Sequence, residues 1–309
     1  MANDIKYGII GAGHLGNYHA QQLLKISSVQ LVGVYDISSK HGLLLAKQYK
    51  IKSFSSVESL LHACDAVSIA TPASSHFLCA KLALKNNCHV FIEKPFTKNI
   101  SEAKKLIQLQ TSYNLKIQVG HIERFNSAFS TFIKTNPRPL FIEAHRLCLY
   151  NNRGLDVDVI LDLMIHDIDL VITLINSNIK NISASGAAVL SNSIDIANAR
   201  LDFENGATVN LTANRISLKQ MRKMRVFEKN TYSALNFQSQ TVNSWFVNRS
   251  GVIKEKDFLV VPVNALFEEL NLFIVSILNN SPVAVGGKDA LEALIVASKI
   301  QKIIEKIKK

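Results

Sequence analysis

Two patterns of apolar residues alternate over the first 120 residues of the chain. Short apolar runs predict buried strands at residues 7–10, 29–35, 66–70, 89–92 and 116–119. Helical spacing predicts helices over residues 17–26, 39–49, 57–62, 76–86 and 101–113, with Ser101 as the N-cap of the last. Strands that alternate with helices are typical of a parallel sheet covered on both faces. We therefore expect an α/β domain over residues 1–121, built on a doubly wound parallel sheet with its ligand at the carboxyl ends of the strands.

The pattern changes from residue 122 onward. Residues 141–147 predict a strand, and residues 159–175 predict a buried helix. Strand-like runs then follow without intervening helices, at residues 182–190, 194–203, 207–213, 221–228, 232–237 and 242–248, before two closing helices at 263–278 and 288–309. Consecutive strands imply antiparallel pairing, and Glu204-Asn205-Gly206 is typical of a hairpin turn. We expect a second, α+β domain over residues 122–309 with a large, open, mostly antiparallel sheet, whose C-terminal helix can pack back on the first domain.

A glycine-rich turn follows the first predicted strand. It consists of Gly11, Ala12, Gly13, His14, Leu15 and Gly16. Gly11 allows a tight turn, Gly13 lets the backbone approach a pyrophosphate, and Gly16 lets the following helix pack closely on the strand. The helix N-terminus then offers N–H groups to the phosphates. This arrangement predicts a dinucleotide site.

Asp36 ends the second predicted strand, about 20 residues after the last glycine, where a dinucleotide fingerprint places an acid. Its carboxylate would accept hydrogen bonds from a ribose 2′-hydroxyl and would repel a 2′-phosphate, so NAD is favoured over NADP as the cofactor. Ser38, Ser39 and Lys40 follow closely and can offset part of that repulsion.

Composition narrows the class of protein. The chain has 309 residues, 48% of them hydrophobic, which is enough for two packed domains. We expect no signal peptide, because the first apolar run is only a strand long, and no membrane span, because no apolar run reaches ~20 residues. Four cysteines without a C-x-x-C spacing indicate a reduced, cytoplasmic protein. They are Cys64, Cys79, Cys88 and Cys148.

The net charge of +11 indicates an anionic partner. Nucleic acid is one candidate, but the lysines are spread along the chain. The densest cluster, residues 299–309, has the spacing of an amphipathic helix with a solvated basic face. We therefore expect no nucleic-acid partner. A phosphorylated substrate would use the overall positive charge equally well. The unpartnered face of the open sheet is expected to be an interface, which predicts a homodimer or homotetramer.

Two further groups of residues are candidates for catalysis. Glu93-Lys94-Pro95 follows a predicted parallel strand, where Lys94 can hydrogen-bond a substrate hydroxyl near a nicotinamide. The alternative is an ordinary surface lysine in a loop.

Asp162 and His166 are four residues apart on a predicted helix, so they share one face. A carboxylate beside an imidazole orients the ring and raises its pKa, which suits proton abstraction from an alcohol.

The helix around His166 is rich in acids as well as apolar residues. The acids are Asp156, Asp158, Asp162, Asp167 and Asp169. Because the helix is apolar nearly all round, we expect it to be buried, and buried charges need a partner or a function. A catalytic pair, a structural pair, and a metal site of His166, Asp162 and Asp169 are the three possible interpretations. The catalytic pair is favoured, and no metal is expected.

The three motifs in this order resemble the Gfo/Idh/MocA oxidoreductases, the family of glucose–fructose oxidoreductase and inositol dehydrogenase, almost from end to end. The resemblance implies a Rossmann domain followed by an open-sheet domain. It implies that Lys94, Asp162 and His166 are catalytic and handle the substrate hydroxyl and its proton. It also assigns the turn at Thr71 and Pro72, with His76, to the nicotinamide side. The implied cofactor contacts are Gly11, Gly13, His14, Leu15, Gly16, Asp36, Thr71, Pro72, His76, Glu93, Lys94 and His121.

Residues 119–126 and 156–169 resemble a bacterial branch of this family known as virulence-factor-like. That branch includes dehydrogenases that oxidise the 3-hydroxyl of UDP-N-acetylglucosamine. We therefore expect an NAD-dependent enzyme that oxidises a secondary hydroxyl of a sugar or nucleotide sugar. The candidate substrate contacts are Lys94, Arg124, Asn126, Arg146, Arg153, Asp162 and His166, with His145, Asn214 and Arg215 as further candidates.

Two alternatives remain open. One is a non-catalytic regulatory protein that binds NAD or a sugar. The other is a dehydrogenase or reductase of an inositol, a free sugar, a tetrapyrrole or a dihydrodiol. A regulatory protein would be expected to lose catalytic groups, whereas Lys94, Asp162 and His166 are all present, which favours an enzyme.

Overall fold

The computed structural model describes residues 4–150 and 157–307 and divides into two compact units. The first unit comprises Met1–His121 and Leu266–Leu291. The second comprises Ile122–Ala265 and Glu292–Lys309. Each unit therefore combines two stretches of the chain, because the chain returns to the first unit before it ends in the second. Arg153 and Asp156, two of the residues singled out from the sequence, lie outside the described ranges.

The first unit is built on a six-stranded sheet. Its strands are β1 (Ile5–Ile10), β2 (Val29–Tyr35), β3 (Lys52–Ser53), β4 (Ala66–Ile69), β5 (His89–Glu93) and β6 (Ile117–Gly120), in the order β3-β2-β1-β4-β5-β6. Its helices before residue 121 are α1 (His14–Leu23), α2 (Ser39–Tyr49), α3 (Val57–Leu61), α4 (Ala73–Lys85) and α5 (Ile100–Ser112). All its strand pairs are parallel. The predicted doubly wound parallel sheet is confirmed.

The core of the first unit forms because both faces of its central strands are apolar. Tyr7 on β1 and Phe91 on β5 are fully buried, and both meet the ring of Phe273 edge-on, at centroid distances of 6.5 and 6.0 Å. Phe273 belongs to the helix Ala265–Leu278, most of which is part of this unit. Truncating such a buried ring to alanine typically costs about 3–5 kcal/mol.

The second unit carries an eight-stranded sheet. After a 3₁₀ turn (Ile122–Phe125), its elements up to the sheet's second strand are α6 (Ser127–Ile133), β7 (Phe141–Leu147), a π-helix (Ile160–Met164), α7 (Ile165–Ile175) and β8 (Ile179–Ala187). The remaining elements of the chain are β9 (Ile196–Phe203), β10 (Thr208–Asn214), β11 (Met221–Glu228), β12 (Thr231–Asn236), β13 (Thr241–Val247), β14 (Ile253–Asp257), α8 (Ala265–Leu278) and α9 (Gly287–Ile307).

The sheet order is β14-β13-β12-β11-β7-β10-β9-β8, and every pair is antiparallel except β7 with β10. The predicted mostly antiparallel sheet is therefore confirmed. Alternate residues of β7 are buried and half-buried, so one face of the sheet packs on the core and the other is partly accessible.

Several predicted elements need correction. The predicted strand at 182–190 lies at Ile179–Ala187, and β14 was not predicted because all five of its residues are exposed and lack apolar alternation. Helix α6 was missed because it has only seven residues. The N-cap of α5 is Asn99, not Ser101: the Asn99 side chain accepts the Glu102 N–H at 3.0 Å, and the Ser101 hydroxyl donates to Asn99 at 2.7 Å.

No helix in the part of the chain that the structure describes is both long enough and apolar enough to cross a membrane.

Candidate functional site

The glycine turn after β1 has the geometry that a dinucleotide needs. Gly11 has φ +104°, and a Cβ there would lie 2.6 Å from the Ala70 carbonyl oxygen, so only glycine fits. A Cβ on Gly16 would lie 1.9 Å from the Gly11 oxygen, which shows how closely α1 packs against the turn. Gly13, the N-cap of α1, has open space where its Cβ would point. That space is where the backbone can approach a phosphate.

Asp36 is held by the backbone on both sides. Its two carboxylate oxygens accept the N–H groups of Ala12 and Ser38, each at 2.7 Å. The carboxylate is therefore fixed against the glycine turn, at the end of β2. A carboxylate in this position fits a ribose with two free hydroxyls.

A cavity of about 380 Å³ opens beside this carboxylate. Five of the predicted cofactor contacts line it, namely Gly11, Gly13, Asp36, Thr71 and Pro72. The other lining residues, which sequence reasoning missed, are Ile10, Tyr35, Ile37, Val57, Ala70, Ser75, Leu78 and Cys79. Ile37 and Leu78 are 95% and 65% exposed, although both are apolar. Exposed aliphatic side chains beside the Asp36 carboxylate are suited to cover an adenine ring. In the sequence, the apolar residue directly after Asp36 was the signal that could have indicated this surface.

The other predicted cofactor residues occupy two kinds of place. His14 and Leu15 are exposed on the first turn of α1, and the His14 ring contacts Tyr18 at a centroid distance of 4.4 Å. Glu93 and His121 are buried at or just beyond the carboxyl ends of β5 and β6. Contact of these four residues with NAD stays a prediction.

Lys94 follows the last residue of β5 and is half-buried. It precedes Pro95 through a cis peptide bond. The residue before it, Glu93, is buried, and its carboxylate accepts a hydrogen bond of 2.8 Å from Nε2 of His19. Burial alone would raise the pKa of Glu93, but the bond from His19 and the nearby positive charges lower it below the usual value. Glu93 is therefore ionised.

His19 is the inner end of a longer buried chain of hydrogen bonds. Its Nδ1 lies 2.9 Å from the Ser68 hydroxyl, which lies 2.9 Å from the hydroxyl of Tyr7. His19, Ser68 and Tyr7 are all fully buried. Sequence reasoning missed this chain, although a histidine on the apolar face of α1 was a visible signal.

His76 links two loops at the same edge of the sheet. It is buried on α4, with Nδ1 at 2.8 Å from the carbonyl oxygen of Pro95 and Nε2 at 2.9 Å from that of Thr71. The ring was predicted to contact the cofactor. The structure instead places both ring nitrogens on backbone carbonyls, and contact with NAD stays a prediction.

In the second unit, Asp162 and His166 lie on one helical segment that changes type between them. Asp162 belongs to the π-helix Ile160–Met164, and His166 to α7, which continues it. The sequence predicted one uniform helix over 159–175. Single π-turns of this kind occur frequently at functional sites. The segment begins on Asp158, whose carboxylate accepts the Ile160 and Leu161 N–H groups at 3.0 and 3.1 Å and the Gln301 amide at 2.8 Å.

Two arginines hold the helix that carries His166. Arg146 binds Asp167 through two bonds of 3.0 and 2.7 Å and Glu123 through one of 2.6 Å. Arg124 binds Asp169 through bonds of 2.7 and 2.6 Å. Burial alone would lower the pKa of Arg146, but Asp167 and Glu123 raise it, so the guanidinium stays charged. The two acids that follow His166 on its helix, Asp167 and Asp169, are thus paired with arginine.

Several of the predicted substrate contacts already have partners within the protein. Arg146 and Asn126 are buried, and the Asn126 amide donates to Glu123 at 3.2 Å and to the Phe237 carbonyl at 3.0 Å. Their present partners favour a structural role, and contact of Arg124, Arg146 or Asn126 with substrate stays a prediction. Arg153 cannot be placed, because it lies outside the described residues.

The further candidates on the sheet differ among themselves. Arg215 is buried and binds Asp195 at 2.9 Å and the Val157 carbonyl at 2.9 Å, so it ties down the segment before the π-helix. Asn214 accepts the Ile216 N–H at 2.7 Å, which is a local turn contact. His145 is half-buried on β7.

The metal interpretation receives no support from the carboxylates. Asp169, one of the three suggested ligands, is engaged by Arg124. Within residues 4–150 and 157–307, no cluster of three or more His, Cys, Asp or Glu side chains is arranged to hold a metal ion.

Comparisons with known proteins agree with the fold and the glycine turn. Residues 5–121 match a family model described as an oxidoreductase family with an NAD-binding Rossmann fold, and residues 118–230 match the GFO/IDH/MocA C-terminal domain. UDP-N-acetylglucosamine 3-dehydrogenase of Acidithiobacillus ferrooxidans is 34% identical over 97% of both chains. Its solved structure covers 99% of both chains with a TM-score of 0.94.

Two other relatives match over nearly the full length. The uncharacterized oxidoreductase YrbE of Bacillus subtilis is 28% identical over 97% of this chain and 94% of its own. Myo-inositol 2-dehydrogenase of Thermotoga maritima is 23% identical over 97% of this chain and 96% of its own. The resemblance inferred from the three motifs is confirmed. The chain belongs to the Gfo/Idh/MocA family of NAD-binding oxidoreductases.

Proposed function

We propose that this protein oxidises the 3-hydroxyl of UDP-N-acetylglucosamine, or of a closely related nucleotide sugar, to a ketone. The observation that carries the proposal is the 34% identity, over 97% of both chains, to an enzyme of that name. The net charge of +11 supports an anionic substrate such as a nucleoside diphosphate sugar. The fixed Asp36 carboxylate supports NAD rather than NADP as the electron acceptor.

The proposed roles follow from the chemistry of the side chains. When bound, NAD supplies the acceptor for the hydride that leaves the sugar carbon. His166 takes the proton of the hydroxyl, and Asp162 orients the imidazole. Lys94 donates a hydrogen bond to the same oxygen and stabilises the negative charge that develops on it. Tight pairing of Asp167 and Asp169 with arginine keeps the helix of His166 in place.

A substrate panel tests the proposal. NADH absorbance is followed with UDP-N-acetylglucosamine, UDP-glucose, N-acetylglucosamine and myo-inositol, each with NAD and with NADP. We expect the highest kcat/KM with UDP-N-acetylglucosamine and NAD. A clear preference for myo-inositol or a free sugar would replace the proposed substrate. Binding of NAD and of a sugar nucleotide without any absorbance change would instead indicate a regulatory protein.

Variants then test the residues. We expect His166→Ala and Lys94→Ala to lower kcat by about 10²- to 10⁴-fold, because each removes a group that acts on the reacting hydroxyl. Isothermal titration should show NAD binding close to wild type. His62→Ala, at an exposed position after α3, is the matched control for His166. Normal turnover in both variants would contradict the assignment.

The assembly is part of the proposal. Half-buried aromatic rings form a ladder across four strands of the second unit: Phe141–Phe227, Phe227–Tyr232 and Tyr232–Trp245, at centroid distances of 6.0, 5.0 and 5.2 Å. We infer that a second copy covers this face, giving a homodimer or homotetramer. A monomer by light scattering would contradict it.

The thiols Cys64, Cys79 and Cys88 support a reducing, cytoplasmic location.

A further inference from the structure

The turn that carries Lys94 is held by a histidine on each side. Glu93, the residue before it, is bound through its side chain to His19, and Pro95, the residue after it, is bound through its carbonyl to His76. We propose that His19 and His76 are positioning residues, which fix the backbone on both sides of Lys94 and so aim its ammonium group. This inference rests on the catalytic role proposed for Lys94.

The contacts of His19 define a buried chain of hydrogen bonds. The ionised Glu93 carboxylate can only accept, so Nε2 of His19 donates to it. Nδ1 of the same ring lies 2.9 Å from the Ser68 hydroxyl, and that hydroxyl lies 2.9 Å from the hydroxyl of Tyr7. Each polar atom of this buried chain thereby has a suitable partner. The chain starts on β1, passes through β4 and α1, and ends on the carboxylate next to Lys94.

Further packing fixes the His19 ring itself. The ring meets Phe91 edge-on at a centroid distance of 5.2 Å, and His19 lies on the buried face of α1, whose N-terminus is the glycine turn. The Glu93 carboxylate is also closely packed. Its other oxygen lies so near Gly120 that a Cβ added to that glycine would be only 3.0 Å away. The helix that begins at the pyrophosphate site is thus linked to the turn that carries Lys94.

His76 differs from His19 in the nature of its partners. Its two ring nitrogens face the carbonyl oxygens of Pro95 and Thr71, and carbonyl oxygens only accept. Any hydrogen bond between the ring and either carbonyl is therefore donated by the ring nitrogen. The ring joins the Thr71 loop, which lines the dinucleotide cavity, to the turn of Lys94.

Positioning of this kind is worth a measurable factor in rate. A lysine side chain has several rotatable bonds, so its reach is defined only when its own backbone is fixed. A misplacement of about 1 Å at a reacting group can cost about a hundredfold in rate. Loss of either histidine contact should therefore lower kcat more than it weakens the binding of NAD.

Paired amide substitutions separate the contacts of each ring. The glutamine amide nitrogen reaches about where Nε2 of histidine lies, and that of asparagine about where Nδ1 lies. His19→Gln keeps a donor for Glu93, and His19→Asn does not. His76→Asn keeps a donor for Pro95, and His76→Gln keeps only the one for Thr71. His62→Asn and His62→Gln make the same changes at an exposed position.

We expect His19→Asn and His76→Gln to lower kcat by about tenfold to a hundredfold, with the KM for NAD little changed. His19→Gln and His76→Asn should each recover most of that loss. If the two amides at one position behave alike, or if KM for NAD changes instead of kcat, the positioning role is wrong. The assay uses whichever sugar the wild-type enzyme oxidises, so it does not depend on UDP-N-acetylglucosamine.

A second readout needs no substrate. With NAD bound, the rate at which acetic anhydride acetylates Lys94 is measured by mass spectrometry in each variant. A released lysine should react faster, so His19→Asn and His76→Gln should exceed wild type and their partner variants should not. Equal rates in all variants would overturn the inference even if the proposed substrate is correct. Should His19→Asn fail to fold, the pair His76→Gln and His76→Asn tests the inference on its own, with the same expectations.

Discussion

The two units hold their proposed catalytic groups in different ways. In the first unit, Lys94 sits between two histidines that make hydrogen bonds to a carboxylate and a carbonyl. In the second unit, the helix of His166 is held by arginine forks on Asp167 and Asp169, one and three residues after His166. One arrangement relies on hydrogen bonds to single groups, and the other on buried ion pairs.

This difference predicts whether damage to each region lowers mainly stability or mainly turnover. A buried arginine and its carboxylates are expensive to desolvate, so removal of one partner leaves an uncompensated charge and destabilises the unit. A histidine hydrogen bond contributes much less to stability. It can still decide where a reacting group lies. Damage to the arginine cluster should therefore appear mainly as lost stability, and damage to the histidine contacts mainly as lost turnover.

The largest effect is expected from Arg146→Leu. The change leaves Glu123 and Asp167 buried without their cation, so the free energy of unfolding should fall by about 3–5 kcal/mol. Urea denaturation measures it. The control is Arg225→Leu, whose pair with Glu143 at 3.4 Å is largely exposed, and which should cost less than about 1 kcal/mol. Equal losses in the two variants would remove the distinction between buried and exposed pairs on which the comparison depends.

A smaller, pH-dependent effect is expected from Asp195→Asn in the second unit. Burial alone would raise the pKa of Asp195, but Ser191, backbone N–H groups and Arg215 lower it below the usual range. Its folded pKa is thus below its unfolded one, so its stabilisation is complete at neutral pH and is lost as the pH falls from about 5 towards 2. The stability gap between wild type and variant should be widest near neutral pH and narrow in acid. A gap that is constant with pH, by thermal unfolding, would contradict this.

The smallest effect is expected from Tyr7→Phe. It removes the outermost hydroxyl of the chain that ends on Glu93, while the Ser68 hydroxyl keeps its bond to His19. The free energy of unfolding should fall by about 1 kcal/mol, the usual net value of one hydrogen bond, with kcat close to wild type. Thermal unfolding and the NADH assay measure the two quantities. A large loss of turnover here would mean that the whole chain, rather than His19 alone, positions the turn.

Sequence reasoning succeeded for local features of the first unit. Gly11 is required by its positive φ, Gly16 is required by its contact with the Gly11 oxygen, and Asp36 directly follows the predicted strand. It succeeded less well where side chains meet over long distances. The partners of Arg146, Glu123 and Asp167, lie on two other elements and were not predicted. The π-turn before His166 was also missed, since apolar periodicity does not distinguish it from an α-helix.

The amino-acid sequence by itself determined the parallel sheet, the dinucleotide turn and the three motifs that identify the family. Each of these depends on backbone conformation or on spacing within a few tens of residues. Only the tertiary structure decided which polar groups meet. His19 and Glu93 are 74 positions apart, and Ser68 and Tyr7 are 61 apart. The sequence indicates that such residues are polar and buried. Which groups they contact is decided only when distant strands and helices pack together.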